Sequence, residues 1–229
     1  MKIAICVPHY GDVTPQFAYS LAKLMARSVQ TQFNFNGEVQ PPRIELFMHT
    51  SSVLPQLRNL LVKDALAWGA NYLLWLDADQ HFPEEALLRL LSLNLPVVGV
   101  NYPRRVPPHF PTATGLDDKL VSTTEALARE GAVPQVLSLG FGCCLMDATV
   151  FGTLERHAVA AGRPGMWPLF AIEMLDDGTR IVGEDVFFFR RLREAGIPVY
   201  LDHPLSWTIG HVHQSVLTNA DAGVPTATD

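Results

Sequence analysis

Apolar stretches and amphipathic stretches alternate along the first hundred residues of the chain. The run KIAICVP at residues 2–8 is apolar almost throughout, which is typical of a strand buried on both faces of a sheet. In the segment that follows it, apolar residues recur every three to four positions, as on one face of a helix. Thr14 suits the N-cap of that helix and Pro15 its first position. The pattern predicts a strand followed by a helix.

The same alternation continues to about residue 103. Three further apolar runs are predicted strands: RIELFMH, YLLWLDAD and PVVGVNY. Two segments between them are predicted helices: LPQLRNLLVKDALAWGAN, with Leu57, Leu60, Leu61, Ala65 and Trp68 facing the core and Gly69 near the C-cap, and FPEEALLRLLSL, starting at Pro83. This alternation predicts an α/β domain with a mostly parallel central sheet, flanked by helices and joined by right-handed crossovers.

The second half of the chain is less regular. A strand with a glycine break, QVLSLGFGCCLMD, precedes a helix, ATVFGTLERHAVAAG, for which Asp147 is a candidate cap. After it, MWPLFAIEMLDDGTR is predicted to form a strand and a turn, EDVFFFRRLREAG a helix, and IPVYLD a strand. Residues 219–229 lack a hydrophobic pattern, and we expect this tail to fray.

Length and composition fit one globular domain. The chain has 229 residues, 48 % hydrophobic and 17 % charged, and no apolar stretch as long as a membrane span. The first apolar run ends at Pro8, too early for a secretion signal. Three cysteines without a CxxC pair indicate neither a disulfide framework nor a zinc knuckle, so we expect a cytoplasmic protein. The net charge of −6 argues against coating nucleic acid but leaves room for a local basic site.

Polar residues follow three of the predicted strands, in VPHYGD, HTSS and DADQH. In open parallel sheets, ligands bind beyond the carboxyl ends of the strands, so these three ends should open onto one edge. The first loop lacks GxGxxG, and no segment matches GxxxxGK[ST], so neither a dinucleotide-binding fold nor a P-loop is supported. A ligand that carries phosphate would therefore need a metal to neutralise it.

The DxD stretch Asp77–Ala78–Asp79 ends the third predicted strand. In an extended segment the two aspartates share a face, and they repel each other unless a divalent cation, a basic side chain or a shared proton lies between them. Their oxygens suit Mg²⁺ or Mn²⁺. The plainer alternative is that they cap the helix that follows.

Two downstream features add candidate ligands and acids. Glu184 and Asp185 open a predicted helix, where the helix dipole favours carboxylates, and simple capping would also explain them. His211 follows a glycine and is a plausible third metal ligand, whose imidazole would favour Mn²⁺ over Mg²⁺. Its alternative role is that of a structural hydrogen-bonding residue.

Taken in order, a first strand that ends in Pro, the RN helix, YLLWLDAD, GED and a closing GH resemble the glycosyltransferase A fold. More narrowly, residues 2–213 resemble family-2 glycosyltransferases, including small free-standing ones of bacteria and phages. The resemblance implies one Rossmann-like domain over 1–218, with a nucleotide-sugar half at about 1–103 and an acceptor half at about 104–218. It would act in the cytoplasm, which is the host cytoplasm if a phage encodes it.

By this resemblance the protein is a hexosyltransferase-type enzyme. Asp77 and Asp79 would hold Mn²⁺ or Mg²⁺ on the diphosphate of a nucleotide sugar, with His211 completing the coordination. UDP is the expected nucleotide, although HTSS lacks the acidic residue with which many relatives read uracil. Asp185 would be the general base and Glu184 would orient the acceptor, which implies direct displacement with inversion. Relatives of this fold that retain the configuration also exist, so a retaining reaction is the alternative.

The resemblance also implies a set of donor-binding residues besides the two aspartates. These are Pro8, His9, Tyr10, Arg58, Asn59, Ala78, Gly140, Phe141 and Gly142. For the RN pair the alternative is an exposed helix face. For GFG, where side chains would obstruct a donor sugar, the alternative is a β-bulge.

Candidate acceptor-binding residues lie mainly in NYPRRVPPHFPTATG. Tyr102 could stack on an acceptor ring and Arg104 and Arg105 could meet phosphate, while Trp207 could form a sugar platform. The arginines suggest an anionic acceptor: a sugar phosphate, a lipid-linked phosphate or a hydroxymethylated base in phage DNA. The alternatives are a solvated loop and a core tryptophan.

Two other functional classes stay open at this point. A metal-dependent nucleotidyltransferase or nucleotide phosphohydrolase could use the same carboxylates, and it would cleave a nucleotide without a sugar acceptor. A non-catalytic nucleotide- or glycan-binding module would use Asp185 only as a cap. No protein partner is implied by the sequence.

Overall fold

A computed structural model describes residues 1–35, 37–176 and 178–213. The central sheet has seven strands in the spatial order β4 (Arg43–Thr50), β1 (Lys2–His9), β5 (Tyr72–Leu76), β9 (Cys143–Asp147), β7 (Val97–Gly99), β12 (Val199–Leu201) and β8 (Gln135–Val136). Five of these strands point the same way. Only β9, which is antiparallel to both β5 and β7, and β8, which is antiparallel to β12, run in the opposite direction.

Three two-stranded ribbons accompany the sheet. They are β2 (Phe33–Phe35) with β3 (Glu38–Gln40), β6 (Gln80–His81) with β13 (Gly210–His211), and β10 (Glu173–Leu175) with β11 (Arg180–Val182). The β6–β13 ribbon matters most for the site, because it brings the end of the described chain against the turn that follows β5.

Helices cover both faces of the sheet. They are α1 (Pro15–Val29), α2 (Leu54–Trp68), α3 (Ala86–Ser92), α4 (Glu125–Arg129), α5 (Thr149–Ala160), α6 (Glu184–Glu194) and α7 (His203–Ser206). One core cluster joins α1 and α3 to Ile3 and Ile5 of β1, and the other joins α2, α5 and α6 to Ala4 and Cys6. Because successive residues of β1 face opposite sides, a single apolar strand supplies both clusters. The predicted α/β fold with a mostly parallel sheet flanked by helices is confirmed.

Local signals in the sequence are confirmed at both ends of helices. The Thr14 hydroxyl accepts the N–H of Phe17 at 3.2 Å and caps α1. Gly69, with φ +81°, ends α2 in the left-handed conformation that glycine adopts at least cost. At α5 the N-cap position is held by Ala148, and the predicted cap Asp147 lies one residue earlier, where its carboxylate accepts the N–H of Thr149, the first residue of the helix, at 2.8 Å.

Two predicted details of the helices α2 and α3 are wrong. In α2, Leu60 is exposed, and the buried stripe includes Arg58 instead. α3 begins at Ala86 rather than Pro83, because the residues between them form a turn in which Ala86 N–H donates to the Pro83 carbonyl at 3.1 Å.

Two expectations about the ends of the chain stay predictions. The boundary at residue 218 and the tail at 219–229 lie outside the described residues, and the division near 103 into donor and acceptor halves is untested. None of the helices in the described ranges combines the length and the apolar character that crossing a bilayer requires.

Candidate functional site

A cavity of about 830 Å³ opens at the carboxyl edge of the parallel strands. Its walls come from the end of β1 (residues 8–10), the start of α1 at Thr14, the turn at residues 77–79, Arg105, and residues 211–213. The strand ends VPHYGD and DADQH therefore meet at one edge, where a sheet of this topology binds ligands.

The two aspartates lie in a turn and not in an extended strand, so the expectation that they share a strand face is wrong. β5 ends at Leu76, and Gln80 N–H donates to the Asp77 carbonyl at 3.1 Å. Two neighbouring segments hold the turn: Thr14 N–H donates to the Ala78 carbonyl at 3.0 Å and Val212 N–H to the Asp79 carbonyl at 2.8 Å. As a result the two carboxylates have different partners.

Asp77 is paired with Arg58. Arg58 Nη2 donates to Asp77 Oδ1 at 3.1 Å, and Arg58 Nε lies 3.4 Å from Glu184 Oε1. The guanidinium lies over the rings of Phe141 and Trp75, and the side chain is only 3 % exposed. The alternative that Arg58 lies on an exposed helix face is therefore wrong.

Burial dominates the electrostatics of this pair of carboxylates. It raises the pKa of Asp77 above its ordinary value, and the attraction of Arg58 offsets only part of that rise. Burial likewise raises the pKa of Glu184, again with partial compensation by Arg58. The guanidinium has the opposite balance: Asp77 and Glu184 outweigh the effect of burial and raise its pKa.

Asp79 faces two other basic side chains. Its Oδ2 lies 3.0 Å from Arg105 Nη1 and 3.4 Å from His211 Nε2. The other ring nitrogen of His211, Nδ1, lies 2.9 Å from the Pro103 carbonyl oxygen. Because a carbonyl oxygen only accepts, Nδ1 carries a proton, and Nε2 is the nitrogen that faces Asp79.

These contacts shift the pKa of both partners. Burial alone would raise the pKa of Asp79, but the hydrogen bond and charge of His211, together with Arg105, lower it below its ordinary value. Burial alone would lower the pKa of His211, but its bonds to Asp79 and to the Pro103 carbonyl raise it. For Asp79 and for His211 alike, the combined effect of the polar contacts on the pKa is therefore larger than the opposing effect of burial.

Asp79 and His211 also fit a divalent cation. Among the described residues, no group of three or more His, Cys, Asp or Glu side chains forms a ready-made metal site. A neutral His211 nevertheless turns the lone pair of Nε2 toward a carboxylate while Nδ1 is fixed by a backbone carbonyl, and this second bond is typical of metal-binding histidines. A carboxylate with an imidazole suits Mn²⁺. Asp77, by contrast, is already engaged by Arg58.

Arg105 belongs to a loop that is closed on itself. Pro103 and Pro111 are bridge partners, and Arg104 N–H donates to the Phe110 carbonyl at 2.9 Å. The loop carries Arg105 to Asp79, so this predicted acceptor residue lines the same cavity as the predicted donor residues.

Glu184 and Asp185 lie at the N-terminus of α6, as the sequence predicts. Asp185 Oδ1 accepts the N–H of Val186 at 2.7 Å, while Glu184 turns inward to Arg58. Neither residue is in the lining of the large cavity. The position of Asp185 is compatible with both the catalytic role and the capping role considered above.

The GFG segment leaves room for Tyr102. A Cβ atom on Gly142 would lie 2.7 Å from the Tyr102 ring and from Gln80 Nε2, and one on Gly140 would overlap the Tyr102 hydroxyl. Tyr102 is 8 % exposed, and its hydroxyl accepts the N–H of Gly142 at 3.0 Å. Close packing against a tyrosine explains both glycines, and in this conformation the Tyr102 ring is not open for stacking on an acceptor.

Three more predicted residues lie away from the cavity. The Asn59 side chain donates to the carbonyls of Pro55 and Phe170 and accepts N–H groups of the 169–170 segment, so it joins α2 to that segment. Phe141 is buried in the core beneath Arg58. Trp207 is half exposed and lines a separate depression of about 240 Å³ beside α4.

Eight residues that line the cavity are not among the predicted site residues, and neither is Gln80 beside it: Asp12, Val13, Thr14, Pro15, Leu54, Val106, Val212 and His213. Thr14 was recognised only as a cap, yet it lines the cavity and binds the DxD turn. Gln80 is fully buried next to Tyr102 and Gly142, and neither of its amide atoms has a hydrogen-bond partner among the described residues. The only available signal was its position directly after Asp79.

Comparison with known proteins identifies the fold. No protein-family model matches the chain, and no curated protein shows significant similarity to it. The crystal structure of A197 from STIV has a TM-score of 0.52 and 13 % identity, covering 99 % of this chain and 100 % of that one. The crystal structure of GalNAc-T7 with UDP, GalNAc and Mn²⁺ has a TM-score of 0.52 and 11 % identity, covering 93 % of this chain but only 44 % of that one.

A third solved structure, S. aureus TarS 1–349 in complex with UDP-GlcNAc, has a TM-score of 0.47 and 12 % identity, covering 98 % of this chain and 62 % of that one. At such identities the first two similarities establish the architecture alone, which is the glycosyltransferase A fold.

Proposed function

We propose that the protein is a divalent-cation-dependent glycosyltransferase that moves a sugar from a nucleotide sugar to an acceptor hydroxyl with inversion. The observation that carries this proposal is the convergence of Asp79 and His211 on one cavity at the ligand-binding edge of a glycosyltransferase A fold. A structure of the same fold was crystallised with UDP, GalNAc and Mn²⁺, which supports UDP and Mn²⁺ as the first candidates.

Asp79 and His211 would hold the cation, and Asp77 would border it from the other side of the turn. When bound, the cation supplies positive charge for the diphosphate that leaves as the sugar–phosphate bond breaks. His9 lies at the end of β1, where its Nδ1 donates to the Gly11 carbonyl and its Nε2 accepts the Thr50 hydroxyl at 2.8 Å. A ring fixed in this way can form a rigid wall for the nucleoside, together with Pro8 and Tyr10.

Asp185 is our candidate for the base that removes the proton of the acceptor hydroxyl. Its carboxylate stands at a helix N-terminus, next to a glutamate that Arg58 holds in place. As Asp185 takes this proton, the acceptor oxygen would form a bond to the anomeric carbon of the sugar while the bond from that carbon to the diphosphate breaks. This direct displacement inverts the configuration at the anomeric carbon. The resemblance to family-2 enzymes supports this assignment, and the substitution Asp185→Asn tests it.

The acceptor is proposed to carry negative charge. Arg104 and Arg105 sit on the loop that borders the cavity, and arginine is well suited to phosphate. A sugar phosphate, a lipid-linked phosphate and a hydroxymethylated base of phage DNA all satisfy this chemistry. A cytoplasmic enzyme of bacterial or phage origin fits each of these acceptors.

A thermal-shift panel of nucleotide sugars with and without Mn²⁺ tests the donor half of the proposal. A bound donor should raise the melting temperature by mass action, and Asp79→Ala should abolish that rise. Turnover of the donor should then require an acceptor. Nucleotide cleavage without any acceptor would indicate a phosphohydrolase instead, and a metal-stripped protein that binds nucleoside diphosphates as well as the resupplied one would refute the metal-dependent mechanism.

A further inference from the structure

Arg58 connects three elements that surround the site. It lies in the buried stripe of α2, and its guanidinium contacts Asp77 in the turn after β5 and Glu184 at the start of α6. Asp77 borders the cavity, and Glu184 directly precedes the proposed base, Asp185. One side chain therefore joins the proposed donor site to the proposed base.

The geometry of the contacts is that of a bridge. A fully matched arginine–carboxylate pair is bidentate, with two parallel hydrogen bonds. In Arg58, Nη2 donates a hydrogen bond to Asp77 Oδ1 at 3.1 Å. Nε lies 3.4 Å from Glu184 Oε1, which makes an ion pair but not a hydrogen bond, and neither Nε nor Nη1 has a hydrogen-bond partner among the described residues. The guanidinium is thus divided between two carboxylates and fully satisfies neither.

Low exposure makes this shared charge effective. The side chains of Arg58 and Glu184 are 3 % and 16 % exposed, so water screens their attraction far less than it would at the surface. Any change in the charge at Asp77 therefore changes how strongly Arg58 holds Glu184, and the reverse follows by thermodynamic reciprocity.

We propose that Arg58 is a positioning residue that couples the binding of a cation and diphosphate beside Asp77 to the placement of Glu184 and Asp185 at the start of α6. The inference rests on the proposed function. A cation close to Asp77 competes with Arg58 for that carboxylate, and the guanidinium then binds Glu184 more strongly. The base is held most firmly when the donor is in place.

A double-mutant cycle tests the coupling without removing the buried arginine. Asp77→Asn, Glu184→Gln and the double variant keep the shapes of the side chains, and isothermal titration calorimetry measures their affinity for Mn²⁺–UDP. Glu184→Gln should weaken binding by about 3- to 10-fold, although Glu184 does not line the cavity, because Arg58 then acts on Asp77 alone. The effects of the two substitutions should be non-additive by at least about threefold.

Glu173→Gln is the matched control. It removes a carboxylate 2.8 Å from Arg190 of α6, the helix that Glu184 begins, and neither residue of this pair lines the cavity. Its Mn²⁺–UDP affinity should stay within about twofold of the wild type, because neither residue of the pair lines the cavity and partly exposed ion pairs contribute little. A control that loses as much affinity as Glu184→Gln would assign the effect to a general loosening of α6 and overturn the inference.

Urea unfolding of the same four proteins provides a second measurement. Both substitutions release the same guanidinium, so their effects on the free energy of unfolding should also be non-additive. Additive effects in either measurement overturn the coupling, even if the wild type binds Mn²⁺–UDP well. A wild-type protein that does not bind Mn²⁺–UDP at all would instead remove the proposed function.

Discussion

Arg105 offers the most direct test of how the site handles a cation. Its Nη1 lies 3.0 Å from Asp79 Oδ2, the oxygen that also faces His211. Arg105 and a divalent cation cannot both bind the same oxygen of Asp79 without weakening each other's contact, so Arg105 should compete with the metal for Asp79. Arg105→Ala removes the competitor and leaves the proposed ligands in place.

The size of the effect follows from exposure. The Arg105 side chain is 54 % exposed and that of Asp79 is 24 % exposed, so the pair belongs with solvent-screened ion pairs. Such pairs contribute about 0.2–1 kcal/mol. If Mn²⁺ no longer has to break this ion pair, the same free energy appears as tighter binding. The affinity for Mn²⁺ should then be about 1.4- to 5-fold higher in Arg105→Ala than in the wild type.

Electron paramagnetic resonance of free Mn²⁺, recorded during a titration without nucleotide, measures this affinity. Arg104→Ala is the matched control, since it removes one positive charge from the same loop without touching the pair with Asp79. The difference between the variants should shrink as ionic strength rises. Equal affinities for the two variants, or weaker binding by Arg105→Ala, would refute the idea that Arg105 occupies the cation position.

Three other perturbations test separate parts of the structure. Asp185→Asn should keep donor affinity within about twofold while the transfer rate falls by about 10²- to 10⁴-fold, and an equal loss of both would mean that Asp185 is only a cap. Gly142→Ala should lower the free energy of unfolding in urea by about 1–3 kcal/mol, because the new Cβ would collide with Tyr102. Gly152→Ala on α5 has room for a Cβ and should raise the free energy of unfolding by about 0.5–1 kcal/mol. Changes of the same sign in both variants would contradict this description of the packing. Burial lowers the pKa of His203, so below about pH 6.5 the unfolded chain binds a proton at this residue more readily than the folded protein does. The free energy of unfolding should therefore fall as the pH drops below about 6.5, and His203→Gln should make this fall less steep. An unchanged pH dependence in His203→Gln would show that His203 is not its source.

The first hundred residues of the fold were predictable because each element there carries its own signal. The burial of Ile3 and Ala4 on opposite faces of the sheet, the cap at Thr14 and the left-handed Gly69 all follow from local chemistry. The reversed direction of β9 was not predictable, because a short apolar run such as CCLMD is compatible with either direction. Its place between β5 and β7 depends on contacts far away along the chain.

The site was predictable in composition but only partly in geometry. Asp79 and His211 come together as expected, because β6 and β13 pair. The burial of Arg58 was not predictable, because a charged residue is tolerated on the inner face of a helix only if opposite charges accompany it. Here Asp77 and Glu184 supply those charges, and they reach Arg58 only through the tertiary fold. Tyr102 escaped prediction for a related reason: the glycines that receive its ring are about forty residues away along the chain.

The loop bearing Arg105 leaves and re-enters the fold at a single point, where Pro103 and Pro111 are bridge partners. An excursion anchored in this way tolerates insertion well, because doubling the length of a flexible loop costs only about 0.6 kcal/mol in closure entropy. Evolution can thus exchange residues 104–110 for a segment of another length or charge while the scaffold keeps its register. We expect sequence diversification among descendants of this protein to concentrate in that segment. Because Arg105 pairs with Asp79, each exchange there would also alter the charge around the turn at residues 77–79.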